Sequence, residues 1–444
     1  MELQYVYATA GLVFGVFALH VLTKRFDPFA PLWLFLVGYF HLYVIQAVSY
    51  HDWAVQVRGA DLVEAANFRA LWALAWFLAI YHCGVDRLLV RLVPEPPRAW
   101  STTPVYVLAP ILVVWGVICA GLVFRAGAVD ESSLTAEEAL LRAFPVVLLV
   151  GGAMLLVTGR SLDRPQPAIA LAGLAFCVLY LLIWMFNGKR SHAVIGVLST
   201  ICALYVTRMR RPSWLVLATT AVLAALAVSV AIGWRNNRTY EHSASGFVSF
   251  LGDFDPSLVL HNLNIEKDDE VDAVTYETEE YGGFLLMMAT VPDRSDYDYC
   301  APYLRIFSTF IPRILWPSKP VFGREKWIAA WIAGSELERD EDFTGPAIGI
   351  LGATQLNGGA TATAIVLAAL AIILRTTHTY CRRFEDRAWI QLLWPLTFYA
   401  SWFMVVNDDP MIWFYYNWGF TTMPTLALLW IYNKTIRKKA AAAS

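Results

Sequence analysis

A series of apolar runs, each close to the length that crosses a lipid bilayer, constrains this chain more than any other feature. About twenty apolar residues cover the hydrocarbon core. Such runs sit at 5–22, 29–48, 68–84, 105–124, 143–158, 168–186, 193–206, 214–232, 358–374, 389–406 and 411–432. Inside hydrocarbon every backbone N–H and C=O needs an internal partner, so runs of this length are helices. The expectation is an all-α polytopic membrane protein of about eleven transmembrane helices. Apolar residues make up 58% of the chain and charged residues 16%, with a mean hydropathy of +0.50. A soluble domain has about half and about a quarter respectively. Eighteen Trp and twenty Tyr suit membrane interfaces, where amphipathic rings anchor.

The first run, Tyr5 to Leu22, has no basic residues before it and is long enough to span, so it reads as a retained helix and not a cleaved leader. The six cysteines (Cys83, Cys119, Cys177, Cys202, Cys300 and Cys381) form no CxxC pair, which supports neither a disulfide frame nor a cysteine metal site. A net charge of −2 excludes a nucleic-acid partner; the placement of the charges is more informative.

Orientation follows from Lys and Arg in the short loops. With the N-terminus outside, Lys24/Arg25, Arg87/Arg91/Arg98, Arg160/Arg164, Arg208/Arg210/Arg211, Arg375/Arg382/Arg383/Arg387 and Lys434/Arg437/Lys438/Lys439 all become cytoplasmic. The short outer loops then hold Arg58, Arg69, Arg125, Arg142, Lys189 and Arg190. The chain divides into helices 1–8 over 1–232, a large extracytoplasmic loop over 233–357, and helices 9–11 with a basic cytoplasmic tail over 358–444. A bacterial inner membrane is the expected location.

One short outer loop opposes the charge rule. Asn187-Gly188-Lys189-Arg190-Ser191-His192 carries two cations and no acid. It is either a simple turn beside a miscounted helix or an anion site kept at the outer surface. In the large loop, Phe247, Phe250, Leu251 and Phe254 recur at helical spacing, as do Trp327, Ile328, Trp331 and Ile332. Such stripes fit short interfacial helices or the core of a loop subdomain. The run from Glu266 to Glu280 reads as a solvated acidic stretch.

The densest chemistry lies in Tyr303-Leu-Arg-Ile-Phe-Ser-Thr-Phe-Ile-Pro-Arg-Ile-Leu-Trp-Pro-Ser-Lys-Pro320. Pro312, Pro317 and Pro320 forbid a continuing helix and fix the backbone. That frame displays Arg305, Arg313 and Lys319, with Trp316 among them. Arginine offers a fork of donors suited to phosphate, lysine a point charge, and a tryptophan face suits a sugar ring. An interfacial segment that binds lipid headgroups reads equally well from the same residues.

The segment Ile311-Pro-Arg-Ile-Leu-Trp-Pro-Ser-Lys-Pro320 resembles the iPR.lWP.KP segment of bacterial O-antigen polymerases, the Wzy-type oligosaccharide repeat-unit polymerases. Val291-Pro292 upstream, then Thr344-Gly345 and Leu356-Asn357-Gly358-Gly359 entering a span, extend the resemblance over roughly 281–375. The family often carries a Glu shortly before that Asn; here the chain reads Gly352-Ala353-Thr354-Gln355. Arg235 to Gly246 fits an Arg-x10-Gly pattern found in some members' outer loops.

The resemblance implies a helical bundle like those of C-type glycosyltransferases and a defined reaction. A hydroxyl of an incoming lipid-linked repeat unit attacks the anomeric carbon of a lipid-diphosphate-linked glycan, and undecaprenyl diphosphate leaves. Fixed cations in a partly dry site stabilise that leaving group without a metal or other cofactor. Arg190, Arg313, Lys319 and His192 are then the candidate catalytic residues; Lys189, Arg235, Arg305, Trp316 and Asn357 would bind substrate. His242 and His261 are further candidate bases. The implied partners are undecaprenyl-diphosphate-linked oligosaccharide, membrane lipid and a chain-length regulator protein. Three other readings compete: an O-antigen ligase-like transferase, a lipid-linked glycan flippase or transporter, and a metal-dependent C-type glycosyltransferase with Asp52 or Asp253/Asp255 as ligands. The absence of an evident sequence repeat and the few charges inside the runs disfavour a transporter.

Overall fold

The structure, a computed structural model, describes residues 3–98, 100–126, 145–161, 165–188, 190–235, 239–241, 243–255, 280–299, 316, 347–397 and 422–443, without the side chains of 123–126, 190–191 and 436–443. All regular elements among them are helices. Seven are long and apolar enough to cross a membrane, and Val146–Gly159 and His192–Val206 are shorter apolar helices. The chain is thus a helical, multi-pass membrane protein. Half of each of the expected runs at 389–406 and 411–432 lies outside the described residues.

The helices form two compact units. The first takes the described residues of Met1–Val93 and Lys267–Thr379. It contains α1 (Gln4–Leu22), α2 (Pro31–Ser49), α3 (His51–Arg58), α4 (Ala60–His82), α5 (Asp86–Leu92), α12 (Glu280–Thr290) and most of α13 (Gly349–Arg383). Aromatic rings join α2 to α4: Phe35 stacks on Phe77 at 3.8 Å, and the Tyr39 hydroxyl donates to the Ala70 carbonyl at 2.7 Å. A π turn at His41–Ile45 interrupts α2. Such turns advance the helical register. Just beyond it, the Gln46 amide meets α12, where Nε2 donates to Glu280 Oε2 at 2.9 Å and Oε1 accepts the Tyr281 N–H at 3.0 Å. At another place in this unit, Asp27 faces His378 (3.2 Å), and Asp86 accepts the Thr379 hydroxyl (2.6 Å) beside Arg375 (3.5 Å). Charges this deep in an apolar unit persist because each has a partner.

The second unit takes the described residues of Pro94–Glu266, Tyr380–Tyr399 and Tyr416–Ser444. It contains α6 (Thr103–Ala126), α7 (Val146–Gly159), α8 (Pro167–Phe186), α9 (Arg190–Val206), α10 (Trp214–Arg235), α11 (Ala244–Asp253), α14 (Ala388–Leu393) and α15 (Met423–Ala443). Every residue of α7 is buried, and α6, α8, α9 and α14 pack around it. Small residues make the closest approach possible. A Cβ on Gly173 would lie 2.3 Å from the Leu156 backbone nitrogen and 2.7 Å from the Gly152 carbonyl. Backbone cannot swing aside, so Gly173→Ala is expected to push α7 and α8 apart and destabilise the protein by about 1–3 kcal/mol. A thermal shift of the detergent-purified variant checks this, and an unchanged melting point would show that the helices slide without cost.

The Phe247 stripe settles into this unit. Helix α11 packs on α10, with Phe247 5.1 Å from Trp234 and 5.5 Å from Phe186 between ring centroids. It is packed core and not a free amphipathic surface. The Trp327 stripe, the acidic run before Glu280 and most of the proline frame lie outside the described residues; Glu280 itself, expected to be solvated, is buried at the start of α12.

Candidate functional site

The first unit carries a broken helix. Gly358 (φ 149°, ψ 25°) and Gly359 (φ 64°, ψ −137°) leave helical geometry inside α13 and split it into a short arm from Gly349 and a long arm to Arg383. Only glycine holds such angles without strain. Asn357, the residue before the break, is buried, and its Nδ2 donates to the Ala353 carbonyl at 2.7 Å. It is also the residue expected as a substrate ligand, and it holds the short arm's last turn.

Beside the break stands Arg69. The sequence placed it in a short outer loop; α4 begins at Ala60 instead, so Arg69 projects from within an apolar helix. The polar Asp61 and Glu64 before it mimic a loop, yet they form the first turns of the helix. Arg69 Nη1 donates to Gln355 Oε1 at 2.6 Å, and Gln355 Nε2 donates to the Val291 carbonyl at 2.6 Å. Among the described residues Gln355 is the one hydrogen-bond partner of Arg69, so most of a five-donor fork remains for a ligand. The Tyr297 hydroxyl covers Gly359: a Cβ there would come within 3.0 Å of it. Two residues below Arg69, Asn67 Oδ1 accepts the Tyr281 hydroxyl at 2.8 Å.

Apart from Trp316, the described chain stops at Tyr299 near this break and resumes at Ala347, at the far end of the short arm. The Asp298 N–H donates to the Leu356 carbonyl at 2.9 Å, tying the departing chain to the short arm. Where the chain returns, Ala347 lies against Gly283 of α12, whose absent side chain leaves room for the Ala347 carbonyl. Arg305, Arg313 and Lys319 belong to the stretch between and lie outside the described residues; Trp316 is half-buried.

The second unit carries the turn that opposed the charge rule. It is a true turn between two helices, α8 ending at Phe186 and α9 beginning at Arg190. Gly188 has φ +66°, and a Cβ there would lie 2.8 Å from the Arg235 Cβ. Glycine therefore lets the exposed Arg235 stem pass beside the turn. Lys189 and the Arg190 side chain are outside the described residues. His192 is half-buried, its ring stacked on Trp184 at 4.0 Å and 21°. His242 and His261 are also outside the described residues.

Among the described residues no group of three or more His, Cys, Asp or Glu side chains is arranged to hold a metal. Asp253 of the DxD-like pair accepts the Tyr240 hydroxyl at 2.5 Å, which raises that phenol's pKa because the carboxylate holds its proton. Compared with known proteins, the chain is matched by no family model, no curated protein and no solved structure.

Sequence reasoning missed Arg69, Gln355, Tyr297 and the Gln46–Glu280 pair. A usable signal existed for Arg69 and Asn67: both are polar side chains embedded in a helical apolar pattern, which marks a buried polar cluster or a function.

Proposed function

We propose that this protein polymerises lipid-diphosphate-linked oligosaccharide repeat units for a bacterial surface polysaccharide. In this reading it spans the inner membrane about eleven times, with the N-terminus and large loop extracytoplasmic and the C-terminus inside. The observation that carries the proposal is Arg69, held by Gln355 beside the glycine break, where Asp298 is tied to Leu356. A cation in an apolar helix is costly, and one with spare donors suits a polyanionic leaving group.

The oxygen of an acceptor hydroxyl bonds to the anomeric carbon, the carbon–oxygen bond to the diphosphate breaks, and the electron pair leaves with undecaprenyl diphosphate. Arg69 offsets the charge of that group, the role that the resemblance gives to Arg190, Arg313 and Lys319. Lys189, Arg235, Arg305 and Trp316 hold phosphate and sugar, and His192 is the candidate acceptor for the hydroxyl proton. No metal step is required. A chain-length regulator is the expected protein partner.

Lipid-linked glycans from cells with and without the gene test this. Loss of the protein should collapse the ladder to a single repeat unit. A full lipid-linked ladder that never reaches its final acceptor would mean a ligase instead. Loss of all outward-facing repeat units would mean a flippase.

A further inference from the structure

One end of the second unit collects buried hydrogen-bond donors without acceptors. Arg160 caps α7, the fully buried central helix. Its Nε is buried, and among the described residues nothing accepts from it. Arg387 caps the start of α14, which packs on α7 and α9. Its Nη1 is likewise buried without an acceptor, and its Nε has only an ion-pair contact with Asp386 at 3.4 Å. Trp100 precedes α6, its ring 5.2 Å from Trp389 of α14, and its buried Nε1 also lacks an acceptor. Three separate chain segments thus bring buried N–H groups to one end of one unit.

Glu385 and Glu95 at this end are committed to other arginines, and Asp386 pairs with Arg387 itself. Glu385 takes Arg211 at 2.8 Å and Arg382 at 3.0 Å, Glu95 faces Arg383 at 4.0 Å, and Asp386 is 64% exposed. Asp163 and Arg164 lie outside the described residues. Arg208, just past α9, is exposed and close enough to Arg160 to add to what burial already does, lowering the Arg160 pKa. Buried donors without acceptors, with a further cation nearby, describe a place suited to an anion.

We propose that this end of the second unit binds a phosphate oxyanion, held by Arg160, Arg387, Arg208 and the Trp100 indole. The ligand chemistry is that of a phosphodiester headgroup or free phosphate. In the orientation proposed above this end faces the cytoplasmic leaflet, where anionic headgroups meet basic pockets between helices. Such a site lies apart from the glycan chemistry, so it stands or falls independently of the polymerase reading.

The test is retention of dioleoyl-phosphatidylglycerol by the detergent-purified full chain, read by native mass spectrometry beside dioleoyl-phosphatidylcholine, with melting points in millimolar inorganic phosphate as a second arm. The wild type should keep the anionic lipid in preference to the neutral one. Arg160→Gln, Arg387→Gln and the exposed Arg208→Gln should each weaken retention about tenfold. Trp100→Phe, which removes a donor and no charge, should weaken it as well. Protection by inorganic phosphate equal to that by the lipid supports the site with free phosphate as its ligand. Equal retention of both lipids with no protection by phosphate overturns the proposal. So does loss in the arginine variants with full retention in Trp100→Phe, the pattern of a merely basic surface. Because Arg208→Gln changes an exposed side chain, it reports even if a buried variant fails to fold.

Discussion

Arg69→Ala is expected to reduce glycan polymer about a hundredfold while the protein stays in the membrane. The guanidinium is half-buried and hydrogen-bonded at 2.6 Å to Gln355, which is itself 4% exposed. Its remaining donors have no partner among the described residues, so the variant removes a charge-assisted contact that a leaving diphosphate would make. Arg69→Lys keeps the charge and loses the planar fork, so it should restore only part of the polymer. Gln355→Leu should act in the same direction, because an unheld Arg69 no longer points at the break. The double variant should then lose little more than either single one, since the two side chains act as a unit. Glycan ladders at matched membrane abundance decide the matter. Near-normal polymer from Arg69→Ala would remove Arg69 from the site, and strictly additive losses would show that Gln355 acts through something else.

How much of this could be read from the residues depends on the range of the forces involved. Bilayer thickness fixes helix length, so Gln4–Leu22, Thr103–Ala126 and Trp214–Arg235 were legible as runs. The Asn357-Gly358-Gly359 passage stood out in the sequence through the family resemblance, and the structure gives it a backbone reason, two glycines outside helical geometry. Its partner did not stand out. Arg69 and Gln355 are separated by 286 residues, and nothing local in either segment names the other. The same limit applies to Phe247: the stripe was visible in sequence, but its burial against Trp234 and Phe186 depends on packing between helices. Reading Arg69 as a loop residue was a boundary error with a physical source. Asp61 and Glu64 favour the first turn of a helix through its dipole, and that same acidity looks like a solvated loop.

Replacing both Gly358 and Gly359 with Ala should either destabilise the protein by about 2–6 kcal/mol or abolish polymer formation. Each site sits in a region that non-glycine residues occupy at a cost of about 1–3 kcal/mol. At Gly359 the added methyl also comes within 3.0 Å of the Tyr297 hydroxyl. The chain can relieve the strain in one way, by continuing α13 as a straight helix through the break. That relief swings the short arm out of place, and three hydrogen bonds oppose it: Leu351 N–H to the Tyr43 hydroxyl (3.0 Å), Arg69 to Gln355 (2.6 Å) and Asp298 N–H to the Leu356 carbonyl (2.9 Å). The variant therefore either keeps the bonds and bears the strain, or straightens and releases Arg69 and the chain at Asp298. Melting temperature separates these outcomes from polymer yield. A lowered melting point with residual polymer indicates the strained, intact site; a melting point near wild type with no polymer indicates the straightened helix. Gly11→Ala, whose methyl meets nothing within 4 Å, should leave both readings unchanged. If the double variant matched wild type in both, the break would be incidental and the site would have to be sought away from it.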